Sequence, residues 1–215
     1  MKTTEVHAWA QDKPGVLGFL DRLNGANIDW ALFSGTVARP RTSSDVDLLV
    51  SRAGFDAMCE IVPANSVYHN KTVSICGEDG VTLQMITDEI NYTIDNTEVQ
   101  ALRPTTMYGS HGHNYFLSLS PTAREARTEH QVGDVTVYVA DPLETMLIKS
   151  IMQRGLAQGK FDGIDVAMVA PGYDWDSSYV QRRVWEAGYD PRADAFLQEH
   201  VGRSALIQSI LIQAA

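Results

Sequence analysis

Apolar positions change their period several times along the chain, and each change marks an element. Over 14–24, Val16, Leu17, Phe19, Leu20 and Leu23 recur at helical spacing behind an early proline. That pattern predicts a helix closed by Gly25. Two apolar runs, Trp30-Ala31-Leu32-Phe33 and Asp45 to Val50, read as strands. Between them lie a small-residue turn, Ser34-Gly35-Thr36, and a basic loop, Arg39-Pro40-Arg41. Pro40 disfavours helix at Arg39, so any helix after the turn is short. Helical spacing returns over 52–62 and stops at Pro63. The β-prone runs 66–75 and 81–87 flank Gly77-Glu78-Asp79-Gly80 and predict a hairpin. Turn formers interrupt 88–120 repeatedly, which predicts short strands and loops. A short helix over 121–128 and a strand over 135–140 follow.

From Asp141 onward the pattern is helical. Asp141 suits an N-cap, Pro142 the first helical position, and Glu144 the third residue of a capping box. That helix should run to about residue 158, with others near 161–170, 177–187, 192–200 and 202–213. The expected architecture is α/β of the α+β kind. A mixed β-sheet core with flanking helices fills 1–140, and a helical C-terminal region fills 141–215.

The chemistry concentrates on the second strand. Side chains two apart on a strand share a face, so Asp45 and Asp47 project together, roughly 7 Å apart at Cα. Two such carboxylates can converge on a hard cation, and hard cations commonly hold phosphates. In the preceding turn, Gly35 lets the backbone approach a bulky anion. Exposed N–H groups and the Ser34 and Thr36 hydroxyls can bind phosphate oxygens. Arg39 or Arg41 can add a charged fork.

These residues resemble the nucleotidyltransferase superfamily, which has a small Gly-Gly or Gly-Ser turn followed about ten residues later by Asp-x-Asp. The closer resemblance is to the bacterial branch that includes the AbiEii-type toxins, with Gly-Gly, then Arg-x-Thr-x-Asp-h-Asp. Here Ser34-Gly35 and Arg41-Thr42-Ser43-Ser44-Asp45-Val46-Asp47 stand at those places, with Ser34 for the first glycine and Ser43 for the threonine. The same branch has a helical Lys, an Arg a few residues on, and Lys-Asp-x-x-Asp. Lys149, Arg154 and Lys160-Phe161-Asp162-Gly163-Ile164-Asp165 are similar, with Phe161 as an extra residue. The two matches cover about 28–50 and 135–169.

The resemblance implies transfer of a nucleoside monophosphate from an NTP to an acceptor, with release of pyrophosphate. Asp45 and Asp47 would hold Mg²⁺ or Mn²⁺, and Ser34, Gly35, Thr36, Arg41 and Ser43 would bind the nucleotide. Lys149, among Met146, Leu147, Ile148 and Ile151, would reach its phosphates, where a partnerless lysine would be costly. Arg154 and Lys160 would help, or would pair with Asp162 and Asp165. A third carboxylate on a neighbouring strand would favour deprotonation of the acceptor. On the expected strand 81–87 that place falls to Gln84, with Asp88 or Glu89 as substitutes. An amide there favours a rival reading, a non-catalytic nucleotide-binding protein or a toxin–antitoxin-type interaction module whose partner supplies or blocks the site. The acceptor stays open among a tRNA end, a protein side chain and a small molecule.

Composition narrows the partners. The net charge of −10 argues against a broad nucleic-acid surface but leaves room for a nucleotide. No apolar run reaches the length of a membrane span, and the N-terminal stretch does not resemble a signal peptide. Cys59 and Cys76 have no metal-like spacing and read as reduced core residues of a cytoplasmic protein. His111-Gly112-His113, with His130 further on, reads as a surface or substrate loop rather than a metal motif.

Overall fold

The structure, a computed structural model, describes residues 1–40 and 45–206. The expected helix over 202–213 lies largely outside the described residues, as do Arg41 and Ser43.

In chain order, α1 (Thr3–Asp12) and α2 (Pro14–Gly25) precede β1 (Trp30–Leu32), α3 (Gly35–Ala38), β2 (Asp45–Val50) and α4 (Arg52–Cys59). Next come β3 (Val67–Cys76), β4 (Thr82–Ile94), β5 (Thr97–Leu102), β6 (Thr105–Gly109) and β7 (Asn114–Leu117). Then follow α5 (Pro121–Ala126), β8 (Thr128–Val132), β9 (Val135–Val139) and α6 (Pro142–Met152). The described chain closes with α7 (Asp162–Val169), α8 (Ser178–Glu186) and α9 (Pro191–Val201). The fold is mixed α/β, with parallel and antiparallel strand pairs and a helical C-terminal region.

The chain divides into two compact units. The first comprises 1–71, 86–105 and 118–141; the second comprises 72–85, 106–117 and the chain from 142 onward. The helical region therefore shares its unit with two β segments.

In the first unit the strand order is β8-β9-β1-β2-β5-β4, with the 86–94 part of β4 at one end. β1 runs parallel to β9 and antiparallel to β2, and β2 runs parallel to β5. Trp9, Phe19, Leu20, Leu23, Trp30, Leu32, Leu48 and Phe55 are fully buried and form its core. Phe19, Leu20 and Leu23 come from one face of α2, as their spacing requires. That helix includes Gly25, and the left-handed residue that follows it is Asn27, at φ 54°. The Ser51 hydroxyl caps α4 by accepting from Gly54 N at 3.0 Å.

The region 88–120 is more regular than its turn formers suggest. β4 continues through Asp88 to Ile94, and Ile94 pairs with Thr97 across a two-residue loop. That loop is Asp95-Asn96, with φ 48° and 65°, the type I′ geometry that matches strand twist. Asp95 and Asn96 are thus hairpin residues that register β5.

In the second unit the 82–85 part of β4 pairs with β6, with Leu83 opposite Gly109 and Gln84 opposite Tyr108. α6 begins at Pro142 and packs on α7 and α9.

Candidate functional site

The first unit carries the acidic strand and its turn. β1 ends at Leu32, and Phe33 N donates to Asp47 O at 3.2 Å. Ser34 then takes φ 60° and ψ −134°, a left-handed backbone that costs energy for a residue with a Cβ and concentrates at functional sites. The amides of Val37 and Ala38 donate to Ser34 O, and that of Arg39 to Gly35 O, closing α3. Thr36 departs from the expected role. Its hydroxyl accepts from Asp47 N at 3.1 Å and donates to Asp45 O at 3.3 Å, and the residue is fully buried. Through these two bonds Thr36 fixes the turn to the acidic strand.

Asp45 and Asp47 sit half-buried on β2, alternating with buried Val46 and Leu48. The strand beside them is β5. In this parallel ladder Asp45 pairs with Glu98, Val46 with Val99, Asp47 with Gln100 and Leu48 with Ala101. Ladder partners present their side chains to the same face. Asp45, Asp47, Glu98 and Gln100 therefore share one face, and Val46, Leu48, Val99 and Ala101 the buried one. Adjacent strands lie about 4.8 Å apart, so three carboxylates are rooted close together.

The acid of the neighbouring strand is thus Glu98. Gln84 does not occupy that place: it is exposed, pairs with Tyr108, and belongs to the second unit. Asp88 and Glu89 do not substitute for it either. Asp88 is held by Asn70 N at 3.0 Å and by Arg103 Nη1 at 3.2 Å, and Glu89 by Lys71 Nζ at 2.6 Å. The Asn70 amide chiefly holds the Asp88 carboxyl below its ordinary range, against slight burial, with His69 and Arg103 adding to it. The alternation of polar and apolar residues in Thr97-Glu98-Val99-Gln100-Ala101 marks a strand, but only the ladder shows that this strand lies beside β2.

Glu98 is held by neutral groups. Asn91 Nδ2 and Gln100 Nε2 both donate to its Oε1. Asn91 faces Gln100 across the antiparallel β4–β5 ladder, and Thr93 faces Glu98. Two amides orient the carboxylate without an opposite charge.

The second constellation has a different character. Lys149, expected at the phosphates, is buried on α6 with Nζ 3.0 Å from Asp162 Oδ1 and 3.1 Å from Asp165 Oδ2. Arg154 Nε lies 3.0 Å from Asp162 Oδ2, and Arg154 N donates to the same oxygen at 2.8 Å. Two cations meet two fully buried carboxylates, which removes the cost of an isolated buried lysine. Lys149 and Arg154 thus tie α6 and the segment after it to α7. Lys160 is exposed. Glu144, expected in a capping box, instead accepts from Arg183 Nε and Nη2, both at 2.7 Å, and from Tyr179 Oη at 2.6 Å.

His111 and His113 line a polar network in the second unit. His111 Nε2 lies 3.1 Å from both Tyr115 Oη and Asp190 Oδ2, and His113 Nε2 meets Gly188 O. Burial raises the Tyr115 hydroxyl well above its ordinary value, against Arg192 and with the Asp190 charge. His130 is buried beside Thr128 Oγ1 at 3.0 Å, and burial lowers its pKa. The cysteines are free but are not core residues: Cys59 is half-buried and Cys76 exposed.

The chain matches no protein-family model and no curated protein. Among the described residues, no helix is long and apolar enough to cross a membrane. Nor, among them, do three His, Cys, Asp or Glu side chains converge closely enough to cage a metal ion. The donor set of the β2–β5 face still fits Mg²⁺ or Mn²⁺. It consists of hard carboxylate oxygens, and Mg²⁺ is commonly bound through one or two carboxylates, with water and substrate phosphates completing the shell.

Proposed function

We propose that the chain transfers a nucleoside monophosphate from an NTP to an acceptor hydroxyl or phosphate and releases pyrophosphate. One observation carries this reading: the register that sets Asp45, Asp47 and Glu98 on a single face of the parallel β2–β5 ladder, behind the strained Ser34 turn. Asp45 and Asp47 would hold the divalent cation, which when bound offsets the negative charge of the triphosphate. The Ser34–Gly35 turn lies against the phosphates, and Thr36 keeps it in register with the acids. Glu98 takes the acceptor's proton as the acceptor oxygen bonds to the α-phosphorus. The bond from that phosphorus to the bridging oxygen breaks, and pyrophosphate leaves with the electron pair. Two free cysteines suit a reducing, cytoplasmic setting.

The test incubates the full chain with each α-labelled NTP in Mg²⁺ or Mn²⁺, alone and with candidate acceptors (a tRNA pool, the protein itself, small hydroxylated molecules). Label should reach an acceptor and pyrophosphate should be released. Asp45→Asn should lower the rate about 10²- to 10⁴-fold, since charge stabilisation by a bound metal is worth several kcal/mol. Metal-dependent NTP binding without transfer under any condition would replace this reading with a non-catalytic nucleotide-binding protein.

A further inference from the structure

Several interior or half-buried carboxylates among the described residues are held by cations of their own unit. Asp162 is held by Lys149 and Arg154, Glu144 by Arg183, Glu89 by Lys71, and Asp88 by Arg103. Asp194 accepts instead from Gln198 Nε2 and Ser204 Oγ within the helical region, and Glu98, on the acidic face, from the side-chain amides of Asn91 and Gln100, both on the same oxygen. A cation in that place would cancel the charge and draw the carboxylate into a salt bridge. Two neutral donors fix its rotamer without pairing it with an opposite charge.

We infer that Asn91 and Gln100 are positioning residues: they pin Glu98 Oε1 and so reserve Oε2 for the acceptor's proton. The inference rests on the nucleotidyl-transfer reading and adds residues that the motif resemblance does not contain. The strands dictate the arrangement. Gln100 is two residues from Glu98 on β5, hence on its face, and Asn91 reaches the same face from β4, opposite Gln100. Donors thus come from the acid's own strand and from the next one. A carboxylate anchored from two strands has few ways to turn, which is what proton transfer in a fixed geometry requires. A longer or shorter side chain at 91 or 100 would release it.

The experiment has two readouts on the full chain. In ¹⁵N–¹H spectra, Glu98→Gln should move the side-chain amide signals of both Asn91 and Gln100, because each loses an anionic acceptor. Unmoved signals would overturn the clamp whether or not the protein turns over. In steady-state transfer, Asn91→Leu and Gln100→Met should each lower kcat about 10- to 100-fold, as loss of a group orienting a functional carboxylate commonly does. KM for the NTP should stay within about twofold, since uniform binding is untouched. In a Glu98→Gln background, neither change should lower kcat further. A full additional loss there, or a raised KM with kcat unchanged, would show that Asn91 and Gln100 act elsewhere. Calorimetric binding of NTP with Mg²⁺ guards against misfolding: a variant that binds normally and turns over slowly supports the clamp. A wild type that binds but never transfers defeats the transfer reading instead, while the amide signals still decide whether the clamp exists.

Discussion

The β2–β5 face and the α6–α7 cluster are built from much the same residue types and are held in opposite ways. In the second unit, Asp162 and Asp165 are fully buried against Lys149 and Arg154, two negative charges facing two positive ones. In the first, Asp45, Asp47 and Glu98 share a half-buried face, and Glu98 is steadied by amides. The first arrangement is closed: its charges are spent on joining two helices. In the second, the partners of Glu98 are two neutral amides, and under the proposed function this face is where a cation and a triphosphate would meet the acids. Spacing between acidic residues does not distinguish the two cases. The partners that reach Glu98, two amides, and those that reach Asp162, a lysine and an arginine, do.

The largest effect should come from breaking the closed cluster. Lys149→Met leaves Asp165 without its ammonium and Asp162 with Arg154 alone. Removing one partner of a buried pair typically costs about 3–5 kcal/mol. Urea denaturation should show that loss as a lower midpoint at unchanged slope. A cost under about 1 kcal/mol would mean that the cluster behaves like an exposed ion pair.

Much of the fold was legible in the sequence because its signals are local. Helical spacing and Pro14 placed α2, and the glycine turn at 77–80 placed the β3–β4 hairpin. Asp45 and Asp47 were legible for the same reason, since strand alternation alone puts them on one face. The third acid was not, because it depends on which strand lies beside β2, and that pairing is non-local. Residues 88–120 look broken in sequence because Asp95 and Asn96 resemble interruptions, whereas both take positive φ as a hairpin turn. Lys149 is ambiguous for a related reason. A lysine among apolar residues needs a partner, but a phosphate and the two aspartates of α7 satisfy that need equally well from the sequence alone. Thr36 fits its turn in either role, and only the register of Asp45 and Asp47 assigns its hydroxyl.

A smaller effect sharpens the comparison inside the first unit. Asp88 is of the closed kind, and its depressed pKa stabilises the fold in a defined direction. The contribution is fully present above the ordinary aspartate value of 3.8 and is lost as pH falls through the lower value of the folded state. Asp88→Asn should therefore lower stability at neutral pH by that whole contribution, about 0–1 kcal/mol for a pair well screened by solvent, and the difference from the wild type should vanish as pH falls below the folded-state value. A loss that appeared only at alkaline pH would contradict the assignment.

The smallest effect belongs to Gln84. Exposed and paired with Tyr108, it should tolerate Gln84→Asp with stability changed by less than about 0.5 kcal/mol and transfer unaltered. A clear gain in transfer rate would return the third-acid role to Gln84 and remove it from Glu98.

The contrast between the two clusters is tested most directly by calorimetric titration of NTP in the presence and absence of Mg²⁺. The titration would compare the wild type, Asp47→Asn, and Lys149→Met at a temperature where circular dichroism shows all three folded. The account predicts Mg²⁺-dependent binding by the wild type, its loss in Asp47→Asn, and its retention in the folded fraction of Lys149→Met. Undiminished affinity in Asp47→Asn, together with loss in folded Lys149→Met, would contradict it and move the nucleotide to the helical cluster.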